Sequence, residues 1–326
     1  MEAYTRRIQK TGKSTYVVSL PKKWVEANKL GKLDPVNLMV VEGMVLIVPE
    51  KARETLEAEV KVSEEDSPRN AVRLIFSKYL DGFSRIRVSF STYSPQTISY
   101  LKEVIRRWLV GVEIIEESAT ELVAQCLPMH DRLPVKTSME RMGGIAANMI
   151  KDAVAALASA DKGLAEEVIR RDDEVDRFYH FVIRQLNIAV KDYSTLSSLE
   201  LSDPSDCISY VLVAKSIERA ADHAVSICRN AKTVQQPLPE SQTVVNLTSE
   251  IVSLFRKSLH SLLNNNLELA GKTLTEVEEA VGKIEHLTQH PHRGWSETHY
   301  LLVLGSLKRI VEYAEDIAEA AVNVSS

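Results

Sequence analysis

The stretch Ser216-Ile-Glu-Arg-Ala-Ala-Asp222-His223-Ala-Val-Ser-Ile227 returns, weakened, ninety positions later as Ser306-Leu-Lys-Arg-Ile-Val-Glu312-Tyr-Ala-Glu-Asp-Ile317. A repeat at that distance marks a duplicated helical unit. In the first copy Glu218 and Asp222 stand four residues apart, and a helix turning every ~3.6 residues brings both carboxylates to one face. Like charges held together call for a cation. A second acidic cluster, Asp172-Asp173-Glu174-Val175-Asp176, lies in the preceding predicted helix, which a bundle can turn toward the first pair.

Outward from this repeat, everything after Lys136 reads as helix. Six amphipathic segments (139–160, 163–190, 204–232, 239–264, 267–289 and 295–324) are separated by Gly, Pro, Ser and Asn. With the internal echo they predict two tandem three-helix bundles, residues 134–236 and 237–326. Upstream, residues 52–133 carry a possible strand at 56–62, a helix from Ser67-Pro68 to Leu80, an alternating strand Arg85–Phe90 and a helix opened by Ser94-Pro95 that runs through Trp108. Strands at 112–116 and 121–126 complete a small α/β connector. It holds no Gly-rich phosphate loop and no nucleophile constellation, so its reading is a connector or dimerisation layer, with a small-molecule sensing pocket as the lesser alternative.

The first fifty residues are β-rich. Ile8 and the run Tyr16-Val-Val-Ser-Leu20 read as strand around a turn at Gly12, Pro21 to Leu30 as a short helix closed by Gly31, and 36–41 with 44–48 as a hairpin. A piece this small is marginal for a solitary core, which predicts a dimer through the head. The fold class expected is thus multidomain and mainly α: a β-rich head (1–51), an α/β connector (52–133) and two three-helix bundles.

Composition agrees. At 326 residues with 44% hydrophobic content, two or three packed domains are accessible. Cys126, Cys207 and Cys228 are scattered and lack Cys-x-x-Cys spacing, which argues against a disulfide framework or a zinc-thiolate site and for a reducing, cytoplasmic setting. No signal-like apolar run opens the chain, and nothing approaches the ~18 unbroken apolar residues of a membrane span. The net charge is −5, but residues 1–32 hold +6 (Arg6, Arg7, Lys10, Lys13, Lys22, Lys23, Lys29 and Lys32 against Glu2 and Glu26), leaving −11 for the rest. A basic head suits phosphates and an acidic body suits cations.

The head resembles the SpoVT/AbrB family of swapped-hairpin DNA-binding domains. The matching residues are Arg7-Ile8-x-Lys10-x-Gly12-x-Ser14-x-x-Val17-x-Ser19-Leu20-Pro21-Lys22-x-Trp24 and the hairpin through Gly43 to Pro49. Where that family usually has Gly-Asp-x-Val before the third strand, this chain has Leu33-Asp34-Pro35-Val36. The resemblance implies DNA as a partner, and Arg6, Arg7, Lys10, Lys13, Ser14, Lys22 and Lys23 are the residues placed to contact it.

The bundles resemble the PhoU family, negative regulators of phosphate uptake, through Asp173-x-x-Asp176 preceded by Val168-Ile169 and through Glu218-Arg219-x-x-Asp222-His223-Ala224. That resemblance implies iron, zinc, manganese or magnesium on the acidic faces, and an AbrB-like head fused to a PhoU-like region fits archaeal phosphate regulators. From the residues themselves, Asp172, Asp173, Asp176, Glu218 and Asp222 offer oxygen ligands for hard cations, while His223, and His180 one turn beyond Asp176, would admit Fe²⁺ or Zn²⁺. The competing reading pairs Asp173 and Asp176 with Arg170, Arg171 or Arg177. In the second copy Lys308 replaces Glu218 and Glu312 replaces Asp222, so direct pairing of Lys308 with Glu312 is expected in place of a metal. His286, His290, His292 and His299 surround a predicted loop and read as a polar connection.

No catalytic arrangement can be assembled, and an enzyme is not expected. The functional expectation is a cytoplasmic, dimeric transcriptional regulator of phosphate uptake. Its alternative is a modulator that does not bind DNA, docks on a phosphate transporter or a signalling kinase, and uses the head only to dimerise.

Overall fold

The computed structural model describes residues 3–41, 43–49, 56–127, 133–192, 195–201, 203–237, 242–290 and 297–324. The chain divides into two compact units, residues 1–54 and 55–326.

In the first unit β1 (Gln9–Thr11) and β2 (Thr15–Val17) form an antiparallel hairpin, and β3 (Val36–Val41) pairs with β4 (Met44–Pro49) in another. Gly12 takes φ +69° in the first turn, a conformation that glycine adopts without steric cost. Between the hairpins α1 (Lys22–Ala27) is shorter than the sequence suggests. Pro21 precedes it as cap, and Lys29 at φ 52° rather than Gly31 makes the left-handed step that ends it. Gly31 instead donates its amide to Asp34 Oδ2 at 2.8 Å, so a carboxylate holds the turn before β3. No described residue of this unit is buried: Ile8, Tyr16, Leu38, Val40 and Val45 all stand more than half exposed.

The second unit holds the connector and the bundles together. Strands β5 (Glu57–Val62), β6 (Arg85–Phe90), β7 (Val112–Glu117) and β8 (Glu121–Cys126) make one sheet in the order β5-β6-β8-β7. β5 and β6 run parallel because α2 (Pro68–Leu80) crosses between them, and the other pairs are antiparallel. Ser67 and Ser94 cap α2 and α3 (Pro95–Trp108) by accepting the amides of Asn70 and Thr97, each with proline at the first helical position. One sheet face, with Val60, Ile86, Val88, Leu122 and Ala124, is buried under Ile75 and Tyr79 of α2 and Leu101 and Ile105 of α3.

Six long helices follow: α4 (Val135–Ser159), α5 (Lys162–Lys191), α6 (Asp206–Ala231), α7 (Gln242–Leu263), α8 (Leu267–Gln289) and α9 (Glu297–Val324). Their bounds lie within a few residues of the periodicity reading. The tandem bundles are fused, however: α4 packs on α7 and α6 on α9, so a single apolar core runs from Val135 to Ala321. Gly143 permits the α4–α7 approach, since a Cβ there would lie 2.2 Å from Leu259 Cδ2.

The connector is clamped to the bundle by α5. Arg184, 8% exposed, donates to the carbonyls of Tyr79 and Gly82 at the end of α2, and its guanidinium lies 4.8 Å from the Tyr79 ring centroid. Asn187 donates to Leu80 O at 3.0 Å and Lys191 to Asp81 O at 2.8 Å. A helix C-terminus leaves unpaired carbonyls and partial negative charge, so the donors at positions 184, 187 and 191 of α5 satisfy the carbonyls while the charges of Arg184 and Lys191 offset the dipole.

Candidate functional site

The acidic residues are positioned by two neighbouring helices of the first bundle. Val168, Val175 and Val182 bury one stripe of α5, and Ile217, Ala220, Ala221 and Ala224 bury one of α6. Asp172, Asp176, Glu218 and Asp222 occupy positions beside those stripes, where the two helices meet.

Their electrostatics record the crowding. Burial, then the charges of Asp222, Glu218 and Asp173, push the Asp172 carboxyl up to about 6. Burial, then Asp172, Glu218, Asp222 and Asp173, raise Asp176 to about 7. Among the described residues neither aspartate has an ion-pair partner. Glu218 accepts from Lys215 Nζ at 2.6 Å through Oε1, while its buried Oε2 has no hydrogen-bond partner. Four carboxylates with two strongly raised acids and an orphaned buried oxygen fit a hard cation. As the side chains stand, no three His, Cys, Asp or Glu groups among the described residues are arranged to hold an ion; closing around one requires rotamer changes in these half-exposed side chains.

Three residues of the expected set point elsewhere. Asp173 accepts from Arg107 of α3, with Nε at 2.9 Å, so it ties the connector to the bundle. His223 lies against α9, 5.9 Å between ring centroids from Tyr313, and burial and Arg309 push its imidazole pKa down. His180 turns toward the connector, edge-on to Phe76 at 5.1 Å, and burial pushes it down to about 4. The expected arginine partners are also occupied differently: Arg170 pairs with Glu167 at 2.5 Å and Arg171 with Asp152 at 2.6 Å. Lys215 was within reach of sequence reasoning, since it stands three residues before Glu218 on the same helix. Arg107 was not, because nothing local relates positions 107 and 173.

The second copy corrects another expectation. Lys308 pairs with Glu285 of α8 at 2.9 Å, and Glu312 with Arg309 of its own helix, so the expected Lys308–Glu312 pair does not form. Lys308 and Glu312 are each balanced by a protein group, but Glu315 is not: burial and the charges of Glu319, Asp316, Glu312 and Glu278 push its carboxyl up. Of the histidines, His299 bonds Thr233 Oγ1 at 2.8 Å and His286 stacks on His290, while His292 lies outside the described residues.

In the head, Arg6, Arg7, Lys10, Lys13, Ser14, Lys22 and Lys23 are all exposed. Lys10 lies in β1, Lys13 and Ser14 in the turn after it, and Lys22 and Lys23 open α1. Lys22 faces Glu26 at 3.6 Å, both highly exposed.

Fold and site define an all-helical bundle with an acidic stripe and no catalytic constellation among the described residues. Residues 139–231, which take in most of α4 and all of α5 and α6, match the family model of the PhoU domain. A phosphate-specific transport system accessory protein PhoU homolog of Clostridium acetobutylicum is 22% identical over 192 residues, covering 56% of this chain and 86% of that protein. The homolog of Caulobacter vibrioides is 34% identical over 91 residues, 28% of this chain and 36% of the relative. The crystal structure of the phosphate transport system regulatory protein PhoU from Streptococcus pneumoniae is similar at 21% identity and TM-score 0.48, covering 59% of this chain and 93% of that one.

Proposed function

We propose that this chain is a regulatory accessory of phosphate transport, not an enzyme, whose helical bundle docks on a component of the transport system or its signalling pathway. The observation that carries this reading is the PhoU domain at residues 139–231, with the acidic stripe inside it. Asp172, Asp176, Glu218 and Asp222 would hold one metal ion, and the all-oxygen donor set favours Mg²⁺, Mn²⁺ or Fe³⁺ over Zn²⁺ now that His223 lies apart. The ion would neutralise the stripe and fix α5 against α6. Arg107 would keep Asp173 out of that centre. The test is uptake of labelled phosphate in cells lacking the chain, at low and high external phosphate. Loss of the normal dependence on external phosphate is expected, and an unchanged dependence overturns the reading.

A second reading concerns the head, where the +6 charge and seven exposed polar or cationic side chains favour DNA as a further partner. Its exposed apolar strands suit pairing with a second copy of the chain, which would present two basic sets. If Arg6, Arg7, Lys10, Lys13, Lys22 and Lys23 neutralise about six phosphates, log affinity falls with log salt at a slope near ~−5. Binding indifferent to salt excludes this role. The head then serves only to dimerise a docking modulator.

A further inference from the structure

We propose that His286 and His290, at the C-terminal end of α8, form a two-imidazole surface site for a transition-metal ion of the Zn²⁺, Cu²⁺ or Ni²⁺ class, separate from the acidic stripe on α5 and α6. The sequence His286-Leu-Thr-Gln-His290 sets the two side chains four residues apart, the spacing at which paired histidines on one helix face bind zinc. The rings are already in contact, with centroids 4.6 Å apart and planes inclined by 24°. Both side chains are exposed, so the His286 ring can turn about χ2 to bring one nitrogen toward an ion shared with His290, with water completing the coordination.

An independent feature concerns the tautomer. His290 Nδ1 lies 3.0 Å from the carbonyl oxygen of His286. A carbonyl only accepts, so Nδ1 carries the proton and the Nε2 lone pair of the neutral ring is left for a metal. This is the outer hydrogen bond that orients most metal-bound imidazoles and raises their basicity. The helix adds a further term. His286 lies in the last turn of α8 and His290 is its C-cap, so a dication held there meets the negative end of the helix dipole.

The surroundings select the class of ion. The adjacent carboxylate, Glu285, is engaged by Lys308 at 2.9 Å, which leaves imidazole as the donor offered. Nitrogen ligands suit Zn²⁺, Cu²⁺ and Ni²⁺ over Mg²⁺ and Ca²⁺, with Cu²⁺ bound most tightly. The stripe on α5 and α6 presents carboxylates alone, so the two sites would take different cations.

The full chain is titrated with Cu²⁺ at neutral pH and followed by electron paramagnetic resonance, in which nitrogen hyperfine coupling counts bound imidazoles. Two coordinated imidazoles are expected at the first equivalent. His286→Ala and His290→Ala should each reduce the count and weaken Cu²⁺ binding about tenfold or more. His286→Ala keeps the backbone carbonyl that orients His290, so it removes a ligand without disturbing the other ring. Asp172→Asn with Asp176→Asn should leave the signal unchanged. Spectra in which both histidine variants match the wild type, with circular dichroism unchanged, overturn the site. A one-imidazole spectrum in the wild type overturns it equally.

Discussion

Replacing Asp176 with Asn tests the electrostatics of the acidic stripe, because the change removes a charge and keeps the shape. In the folded chain the Asp176 carboxyl sits at about 7 against an ordinary value of 3.8, and Asp172 sits at about 6. Between pH 4 and pH 7 the folded state therefore binds more protons than the unfolded state, and metal-free stability falls as pH rises through that window. Taken in full, the Asp176 shift corresponds to ~4 kcal/mol. The group is half-buried and water screens part of the repulsion, so about 1–2 kcal/mol is the magnitude expected. For a unit of this size that is a rise in melting temperature of about 2–8 °C. Thermal unfolding in chelator at pH 8 should show Asp176→Asn more stable than wild type, with the difference vanishing near pH 4. Adding Mn²⁺ at ~100 times its dissociation constant should stabilise wild type by ~2.7 kcal/mol and the variant by much less, reversing the order. A variant less stable than wild type in chelator at pH 8, or an equal response to Mn²⁺, refutes the reasoning.

Three further outcomes follow from packing. Arg184→Ala strips the carbonyls of Tyr79 and Gly82 of their buried donor and should cost about 2 kcal/mol, measured by denaturant unfolding, with early hydrogen exchange in α2 showing that the connector has loosened. Gly143→Ala drives a methyl into Leu259 and should cost about 1–3 kcal/mol despite the better helix propensity of alanine; a stabilised variant would mean that α4 and α7 stand further apart. Lys308→Met should change stability by less than about 0.5 kcal/mol, since Arg309 still pairs with Glu312; a large loss would restore the direct Lys308–Glu312 interaction.

What the sequence made legible was what local periodicity encodes. The helix at 267–289 and the connector elements 68–80, 85–90 and 95–108 are found where pattern and caps put them, because Ser-Pro starts and apolar spacing are local signals. The carboxylates at positions 172, 176, 218 and 222 were legible for the same reason: spacing fixes the face of a helix. Side-chain partners across elements were not. Arg107 reaches Asp173 across 66 positions, and His223 turns to Tyr313, because rotation of one helix against another is set by the whole core. The fused core escaped the reading too, since two bundles packed through α4–α7 and α6–α9 show the same stripes as two separate ones, only wider. In the head the end of α1 was misplaced by a glycine that makes no left-handed step, while Lys29 does.

The most direct test of the central claim is phosphate uptake in cells lacking the chain, complemented with three versions of it: wild type, a stripe variant carrying Asp172→Asn, Asp176→Asn, Glu218→Gln and Asp222→Asn, and a chain without residues 1–54. Wild type should restore the dependence of uptake on external phosphate, and the stripe variant, produced at the same level and folded, should fail. Restoration by the stripe variant would contradict the account, whatever the chain without the head does.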